Sequence, residues 1–379
     1  MIKTDKHYSA LTIDTSIFDG NGLKLKTGLL AKLHQFKDNP INLVLSDIVH
    51  LELKSHLSKK EEETKSKINS ALKNASDYLN CCIDDMEKIK LLLKVDDRGA
   101  SDLMLEDFIT KSGIEIIESE MYCDIKPLIN MYFSCIPPFK ELGGKKNEFP
   151  DAIALLSLHS WAKCYNKNLL AVSADNDWKD FSKGIDNIDV IDDLAEAMDI
   201  LNRQDKALDS IIREIQLDLS ENKNSEIFKR IYSAIEDDVS FFEVEAVSAY
   251  NYYIDDEQVD LIDVNILKEK DDNKLKVYVI DINSDEITIS ISCEVLCNAE
   301  ATFNFSVWDS IDKEDVLIGR TTKMIEISYE TDVLVHLSGN FLDGLQKMDV
   351  DDIEVIDFLG VVNMGEISPF NHEDYFPND

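Results

Sequence analysis

The pattern of apolar and polar positions changes near the middle of the chain. In the first half, short apolar runs alternate with stretches in which apolar residues recur every three or four positions, which is typical of helices between buried strands. The predicted strands are Leu11–Asp14, Ile41–Leu45, Ile114–Ile117, Leu169–Ser173 and Ile188–Ile191. The predicted helices are Gly28–Phe36, Asp47–His56, a long charged stretch from about Glu61 to Leu93, Ser101–Thr110 and Asp151–Tyr165. This alternation predicts an α/β fold of three layers, in which helices cover both faces of a parallel sheet.

The second half of the chain has a different periodicity. From about residue 193 to 237 the spacing is helical, and beyond it apolar and polar residues alternate, which predicts strands. The predicted strands are Phe241–Ala249, Val259–Ile266, Leu275–Asp281, Ile287–Val295, Ala301–Val307, Lys323–Tyr329, Val333–Leu337 and Ile353–Leu359. Because 379 residues exceed one ordinary core, we predict a first domain at 1–195, a helical connector at 196–239 and an antiparallel β-sandwich-like domain at 240–379.

Four acidic residues lie where the predicted elements of the first domain begin or end. Asp14 ends the first strand, and Asp175 follows the fourth. Asp151 opens a helix after Pro150, and Glu52 lies in the second turn of a helix for which Ser46 is a suitable N-cap. Because the carboxyl ends of parallel strands share one edge of a sheet, we expect the four carboxylates to meet there.

Bringing four carboxylates together is unfavourable unless a cation lies between them, because their mutual repulsion raises their pKa values. Carboxylate oxygens are hard ligands that suit Mg²⁺ and Mn²⁺. The acids therefore predict a metal site. The alternative is that the acids are helix caps and surface residues, since a chain with 75 Asp and Glu residues places some of them together by coincidence.

The formal net charge of −36 is distributed unevenly. Residues 1–200 carry 25 Lys and Arg against 34 Asp and Glu, a balance of −9, whereas residues 201–379 carry 14 against 41, a balance of −27. The second half is expected to repel nucleic acid at long range. A polyanionic substrate would therefore be bound by the first half, with help from metal ions.

Two further features concern location. The chain has no apolar run of eighteen or more residues, and its amino terminus lacks the apolar core of a signal peptide, so we predict a cytoplasmic protein without a membrane span. The spacing of its seven cysteines matches neither a disulfide framework nor a zinc site, which favours ordinary thiols.

Four short segments, in this order and on these elements, resemble PIN-domain nucleases. The segments are Thr12–Ser16, Leu45–Leu53, Pro150–Ala154 and Val172–Trp178. The resemblance covers roughly residues 8–195 and is strongest to the bacterial PIN-like group with a long insertion after the second acidic helix. The chain departs from the family in the length and charge of that insertion, at about 57–112, and in its entire acidic second half.

The resemblance implies a set of functional residues and a substrate. In that family four acids bind one or two Mg²⁺ or Mn²⁺ ions and cleave RNA, less often DNA. The residues implied as both metal ligands and catalytic residues are Asp14, Glu52, Asp151 and Asp175, with Asp177 as a further ligand that can hold a second ion. Thr15 and Ser173 match small polar positions that support the acids, and we also predict contacts of both with the substrate.

Basic residues near the acids are candidates for phosphate contacts. Lys54 begins a lysine-rich stretch beside Glu52, and Lys145 and Lys146 precede Asp151. The alternative is a solvated helix face, since glutamates interleave with the lysines. His56 lies one helical turn beyond Glu52, so a role in substrate contact competes with a surface position.

The sequence thus predicts a Mg²⁺- or Mn²⁺-dependent endoribonuclease. A toxin or phage-defence effector restrained by its acidic second half is a further hypothesis, which would involve a regulatory protein partner or an oligomer. An aspartyl-phosphate phosphatase is disfavoured because that chemistry needs a second Asp two positions after Asp14, where Ser16 stands. The alternative from another class is a non-catalytic acidic protein that imitates nucleic acid to a basic partner.

Overall fold

The computed structural model of the chain describes residues 6–37, 39–78, 83–93, 99–140, 148–203, 208–221, 225–240, 242–269, 274–283, 285–311, 313–340 and 344–370. The chain divides into two compact units, Met1–Gln204 and Asp205–Asp379. The division falls before the helices at 209–221 and 226–238, so both of these helices belong to the second unit.

The first unit is built on the predicted parallel sheet. Its strands are β1 (Ala10–Ile13), β2 (Asn42–Ser46), β3 (Glu115–Ile117), β4 (Leu169–Val172) and β5 (Ile188–Ile191). They pair in parallel in the order β3-β2-β1-β4-β5. Every residue of the two central strands β1 and β4 is buried, as expected of a sheet covered on both faces. The predicted α/β fold class is confirmed.

Helices surround this sheet. They are α1 (Thr15–Gly20), α2 (Gly28–Ala31), a 3₁₀ helix (Lys32–Phe36), α3 (Asp47–Tyr78), α4 (Ile83–Leu92), α5 (Ala100–Ser112), α6 (Ser119–Tyr122), α7 (Ile125–Ser134), α8 (Phe149–Cys164), α9 (Asn176–Ser182) and α10 (Leu194–Asn202). The helices α3 and α8 pack against β2, α9 packs against β5 and α10 against β4. The sequence pattern did not predict the short helices α6, α7 and α9.

The helix α3 is longer than the pattern predicts. Two helices separated near residue 57 were expected, but α3 is a single helix of 32 residues. Only its first part has a buried stripe, formed by Val49, Leu53 and Leu57 at intervals of four. The later turns contain charged helix formers without Gly or Pro, and Lys65 is paired with Glu61 one turn before it. The loss of apolar spacing therefore marks where the helix leaves the core, and not where it ends.

The second unit contains the predicted antiparallel sheet. Its strands are β7 (Asn251–Ile266), β8 (Val277–Ile282), β9 (Glu286–Asp309), β10 (Glu314–Ser338) and β11 (Asp349–Val355), with the order β11-β10-β9-β7 and with β8 paired to β9. The strands β9 and β10 are each continuous where two strands were predicted. Polar residues such as Asp332 interrupt the apolar pattern of β10, but the backbone pairing with β9 continues through them. Ser292, opposite Asp332 on β9, donates a hydrogen bond to its carboxylate (2.6 Å).

Two different layers cover this sheet. One part packs against α11 (Asp209–Glu221) and α12 (Glu226–Asp238), which share a core with the first half of β9. A second core, built around Phe303 and Phe305, lies under a small parallel pair formed by β6 (Phe242–Val247) and β12 (Gly360–Glu366). The long strands β9 and β10 are therefore shared by two separate cores.

Within the described ranges, no helix combines the length and the apolar character needed to cross a membrane. None of the described cysteines forms a disulfide: Cys123, Cys135, Cys164, Cys293 and Cys297. Burial raises the pKa of Cys293 to about 12 and that of Cys297 to about 11, so both thiols are protonated at neutral pH. Cys81 and Cys82 lie outside the described residues.

Candidate active site

Asp14 is held in place by the turn that joins the central strand β1 to α1. One carboxylate oxygen, Oδ1, accepts a hydrogen bond from the backbone N–H of Thr15 (2.8 Å), which caps the helix. The other, Oδ2, accepts from the hydroxyls of Ser16 (2.5 Å) and Ser173 (2.8 Å). The side chain is 6% exposed, so these bonds compensate most of its lost hydration. Asp14 is therefore fixed in its orientation and is also a structural residue.

Glu52 is positioned by the start of α3 and by Thr15. The hydroxyl of Ser46 caps α3 through the backbone N–H of Val49 (3.1 Å), as predicted, and this places Glu52 in the second turn. The hydroxyl of Thr15 then donates to Glu52 Oε2 (2.8 Å). Thr15 consequently links the acid after β1 to the acid on α3.

Asp151 lies in the first turn of α8, directly after a proline at the helix start. Its Oδ1 accepts a hydrogen bond from the indole Nε1 of Trp178 (3.2 Å). Trp178 lies on α9 and is fully buried, so the orientation of Asp151 depends on the packing between two helices.

Asp175 and Asp177 lie at the start of α9, just beyond β4. Asp175 is the N-cap of this helix, and its Oδ1 accepts from the backbone N–H of Asp177 (2.8 Å). Asp177 is buried and forms an ion pair with Lys140, whose Nζ lies 2.6 Å from Oδ1 and 2.8 Å from Oδ2. An ammonium group of the chain itself thus neutralises the acid that was predicted to hold a second metal ion.

The electrostatics of Asp151 show that four of the predicted acids are close together. Its pKa is raised to about 6, first by burial and then by the negative charges of Asp14, Asp175 and Glu52, while the hydrogen bond from Trp178 acts in the opposite direction. Each of the other three carboxylates therefore acts on Asp151. The carboxyl edge of the sheet collects the acids, as the order of elements predicts.

The donor chemistry of this cluster fits a hard divalent cation. All four side chains are carboxylates, and the repulsion that adds to the effect of burial on the pKa of Asp151 is the kind that a bound cation relieves. Among the described residues, no three His, Cys, Asp or Glu side chains are arranged so that they could hold a metal ion.

The raised pKa of Asp151 predicts a pH-dependent effect of Asp151→Asn on stability. In the folded state the pKa is about 6, above the ordinary value of 3.8, so ionisation of Asp151 costs stability. This cost is absent below the ordinary value, grows between the two values and is complete above about pH 6. After allowance for partial exposure, we expect the variant to gain about 1–2 kcal/mol at pH 8 and nothing near pH 3.5.

The measurement is denaturant unfolding at both pH values in the presence of a chelator, followed by tryptophan fluorescence. Trp161 and Trp178 are buried in the first unit, and Trp308 in the second is exposed, so the signal is dominated by unfolding of the first unit. An equal gain at both pH values would contradict the assigned cause.

The remaining predicted residues have varied surroundings. Lys54 is exposed and forms an ion pair with Asp102 on α5 (3.1 Å), and Ser173 supports Asp14. His56 is bonded to Asp19 through Nδ1 (2.9 Å). Lys145 and Lys146 lie outside the described residues. Contacts of Thr15, Ser173 and these lysines with a substrate stay predictions.

Three residues of the site were not found from the sequence. Ser16 donates to Asp14 and accepts from the backbone N–H of Ala174 (3.1 Å), which ties the turns after β1 and β4 together. Trp178 and Lys140 are the others. Ser16 was accessible to sequence reasoning, since a hydroxyl two residues after a capping Asp is a recognisable turn signal. No sequence signal relates Lys140 to Asp177, since 37 residues separate them.

Comparison with known protein families gives a match to the first unit. A family model described as PIN domain matches residues 11–178. The matched range begins in β1 and ends at Trp178, so it includes the four clustered acids. No curated protein and no solved structure match the chain.

Proposed function

We propose that the protein is a metal-dependent endoribonuclease. Its first unit belongs, through residues 11–178, to the PIN-domain family, whose members are generally nucleases. The observation that carries the proposal is the gathering of four carboxylates at the carboxyl edge of the sheet, where burial and then the charges of Asp14, Asp175 and Glu52 raise the pKa of Asp151. Structural acids would be expected to pair with basic side chains, as Asp177 does.

The residues proposed to hold Mg²⁺ or Mn²⁺ are Asp14, Glu52, Asp151 and Asp175. When bound, such an ion supplies positive charge for the phosphodiester and lowers the pKa of water. The chain itself orients the acids: Ser16 and Ser173 fix Asp14, Thr15 fixes Glu52 and Trp178 fixes Asp151. This preorganisation limits the side-chain movement needed when the anionic substrate enters.

RNA is the proposed substrate, and the test is cleavage of matched single-stranded RNA and DNA by the full chain, with Mg²⁺, with Mn²⁺ and with a chelator. Asp151→Asn, purified in the same way, controls for contaminating nuclease. Metal-dependent cleavage of RNA by the unmutated protein alone is the expected result. Faster cleavage of DNA than of RNA would correct the substrate, and cleavage of neither polymer would contradict the enzymatic proposal.

We also propose that the second unit, with its large excess of acidic residues, restrains cleavage in an effector such as a toxin or phage-defence nuclease. The support is its charge alone, which opposes the approach of RNA. The first unit extends to Gln204, so the test compares RNA cleavage by the full chain with cleavage by a chain that ends at Gln204. Equal cleavage rates and equal salt dependence in the two would refute the restraint.

The ion pair between Lys140 and Asp177 predicts an effect on metal affinity. Replacing Lys140 by Met removes a positive charge that the carboxylates of Asp177 and Asp175 both feel. We expect Mn²⁺ to bind about two- to fivefold more tightly to this variant, because the exposed ammonium no longer competes for the acids. Titration calorimetry measures the change.

Lys183→Met is the matched control. Lys183 directly follows α9, the helix that carries Asp177, but it pairs with Asp180 (2.6 Å) and not with Asp177. The charge lost is the same in both variants. Equal Mn²⁺ affinities for Lys140→Met and Lys183→Met would show that Lys140 has no specific influence on the site.

A further inference from the structure

A pocket of about 380 Å³ opens beside the middle of α3, in the first unit. Its apolar wall includes Leu57, Ile68 and Met104, and the side chains of Lys26, Lys60 and Lys65 line the same space. The pocket therefore combines a small aliphatic surface with three ammonium groups, in a protein whose net charge is −36.

The charge of this pocket is positive because its acid is already neutralised. Glu61 lines the pocket, and its carboxylate accepts hydrogen bonds from Lys65 Nζ (2.6 Å) and from the backbone N–H of Ser101 (2.9 Å). These bonds lower the pKa of Glu61 to about 2, so it stays ionised and occupied by its donors. Within the described part of the chain, neither Lys26 nor Lys60 forms an ion pair, so both can meet an external anion.

The helix α3 connects the pocket to the clustered acids, because it carries residues of both. Lys60 follows Glu52 by eight residues on α3, a distance of about 12 Å along the helix axis. The helix is continuous between them, so the spacing is fixed. A ligand that spans the acids and the pocket must be extended and must carry negative charge at intervals.

We propose that this pocket receives one unpaired base of a single-stranded RNA substrate, with the flanking phosphates on Lys26 and Lys60. The inference rests on the proposed nuclease function and assigns a position on the protein to the strand beyond the cleaved bond. An unstacked base has a flat apolar face that the aliphatic wall can cover, and lysine ammonium groups bind phosphate without reading sequence. A base in a duplex is not available to such a pocket, so the site selects single strands.

The first test separates the phosphate contacts from the general charge of the protein. Lys26→Gln/Lys60→Gln is combined with Asp151→Asn to prevent cleavage, and binding of a short fluorescent single-stranded RNA is titrated at several salt concentrations. We expect affinity to fall about tenfold and the salt slope to fall by roughly 1.4, which corresponds to two lost phosphate contacts. Lys59→Gln/Lys67→Gln in the same background is the control, because both lysines are exposed on α3 and neither lines the pocket. Equal losses in the two double variants would overturn the proposal.

The second test fills the pocket without changing its charge. Thr64 lines the pocket on the exposed side of α3, so Thr64→Trp occupies the space proposed for the base. We expect weaker binding of single-stranded RNA and unchanged binding of duplex RNA. Unchanged single-strand binding, or equal loss for both forms, would overturn the base assignment. A thermal melt of each variant shows that the fold is retained.

These binding titrations are independent of the cleavage assay. If the unmutated protein cleaves RNA but neither pocket variant loses affinity, only the pocket assignment fails. If the unmutated protein cleaves no polymer while the pocket variants lose RNA affinity, the nuclease proposal fails and the pocket assignment stands. Failure of Asp151→Asn to bind single-stranded RNA at all overturns the pocket assignment.

Discussion

Asp151→Asn is expected to lower the rate of RNA cleavage by about a thousandfold or more while leaving the fold intact. The substitution removes one of four carboxylates at the proposed metal site, and the remaining Asp14, Glu52 and Asp175 supply too little negative charge. The amide keeps the shape of the side chain, and its Oδ1 can still accept the hydrogen bond from Trp178. The measurement is the single-turnover rate with saturating Mn²⁺.

Asp151 is a better position for this test than Asp14. The carboxylate of Asp14 accepts three hydrogen bonds, two of them on Oδ2 from hydroxyl groups. An amide nitrogen in place of Oδ2 would reverse the direction of those bonds, so Asp14→Asn would change structure and chemistry together. Among the described residues, Asp151 accepts one side-chain hydrogen bond, from Trp178, so its substitution changes mainly charge.

Asp107→Asn provides the matched control. Asp107 is an exposed acid on α5 whose partner is Lys111 on the same helix (2.8 Å), so the same chemical change is made away from the acids. Full cleavage by Asp107→Asn and none by Asp151→Asn would assign the loss to the site. Cleavage by Asp151→Asn at more than a tenth of the unmutated rate would contradict a catalytic role for this carboxylate.

The sheet and its acids were predictable because both depend on local sequence. Short apolar runs bounded by polar residues define β1, β2 and β4, and the acids follow at the carboxyl end of a strand or in the first turns of a helix. Parallel pairing then brings those ends to one edge, whatever the lengths of the connections. Asp14 and Asp175 could thus be placed together although 161 positions separate them.

The supporting contacts could not be predicted, because they depend on how helices pack. Trp178 meets Asp151 through the contact between α8 and α9, and Lys140 meets Asp177 through a loop of no recognisable pattern. A tryptophan in the sequence does not reveal which acceptor its indole N–H will meet in the folded protein. Long-range pairing was missed for the same reason in the second unit, where β6 and β12 pair across more than one hundred residues.

Trp178→Ala is expected to destabilise the first unit by about 3–5 kcal/mol, because it empties the space of a fully buried indole. Trp178→Phe keeps most of that packing and removes only the donor to Asp151. In the folded protein the indole lowers the pKa of Asp151, against the effects of burial and of the neighbouring acids. Without the indole the pKa of Asp151 rises further, so its ionised form is populated only at higher pH.

The Phe variant therefore separates positioning from packing. If the ionised form of Asp151 is needed for cleavage, the acid limb of the pH profile of kcat/KM moves to higher pH in Trp178→Phe. Trp161→Phe is the control, because Trp161 is equally buried but its Nε1 has no hydrogen-bond partner within the described residues. Both variants lose similar volume, and only one loses a bond to an acid. An unshifted acid limb in Trp178→Phe would restrict Trp178 to a packing role, whereas a shift absent from Trp161→Phe would make the indole a positioning residue for Asp151.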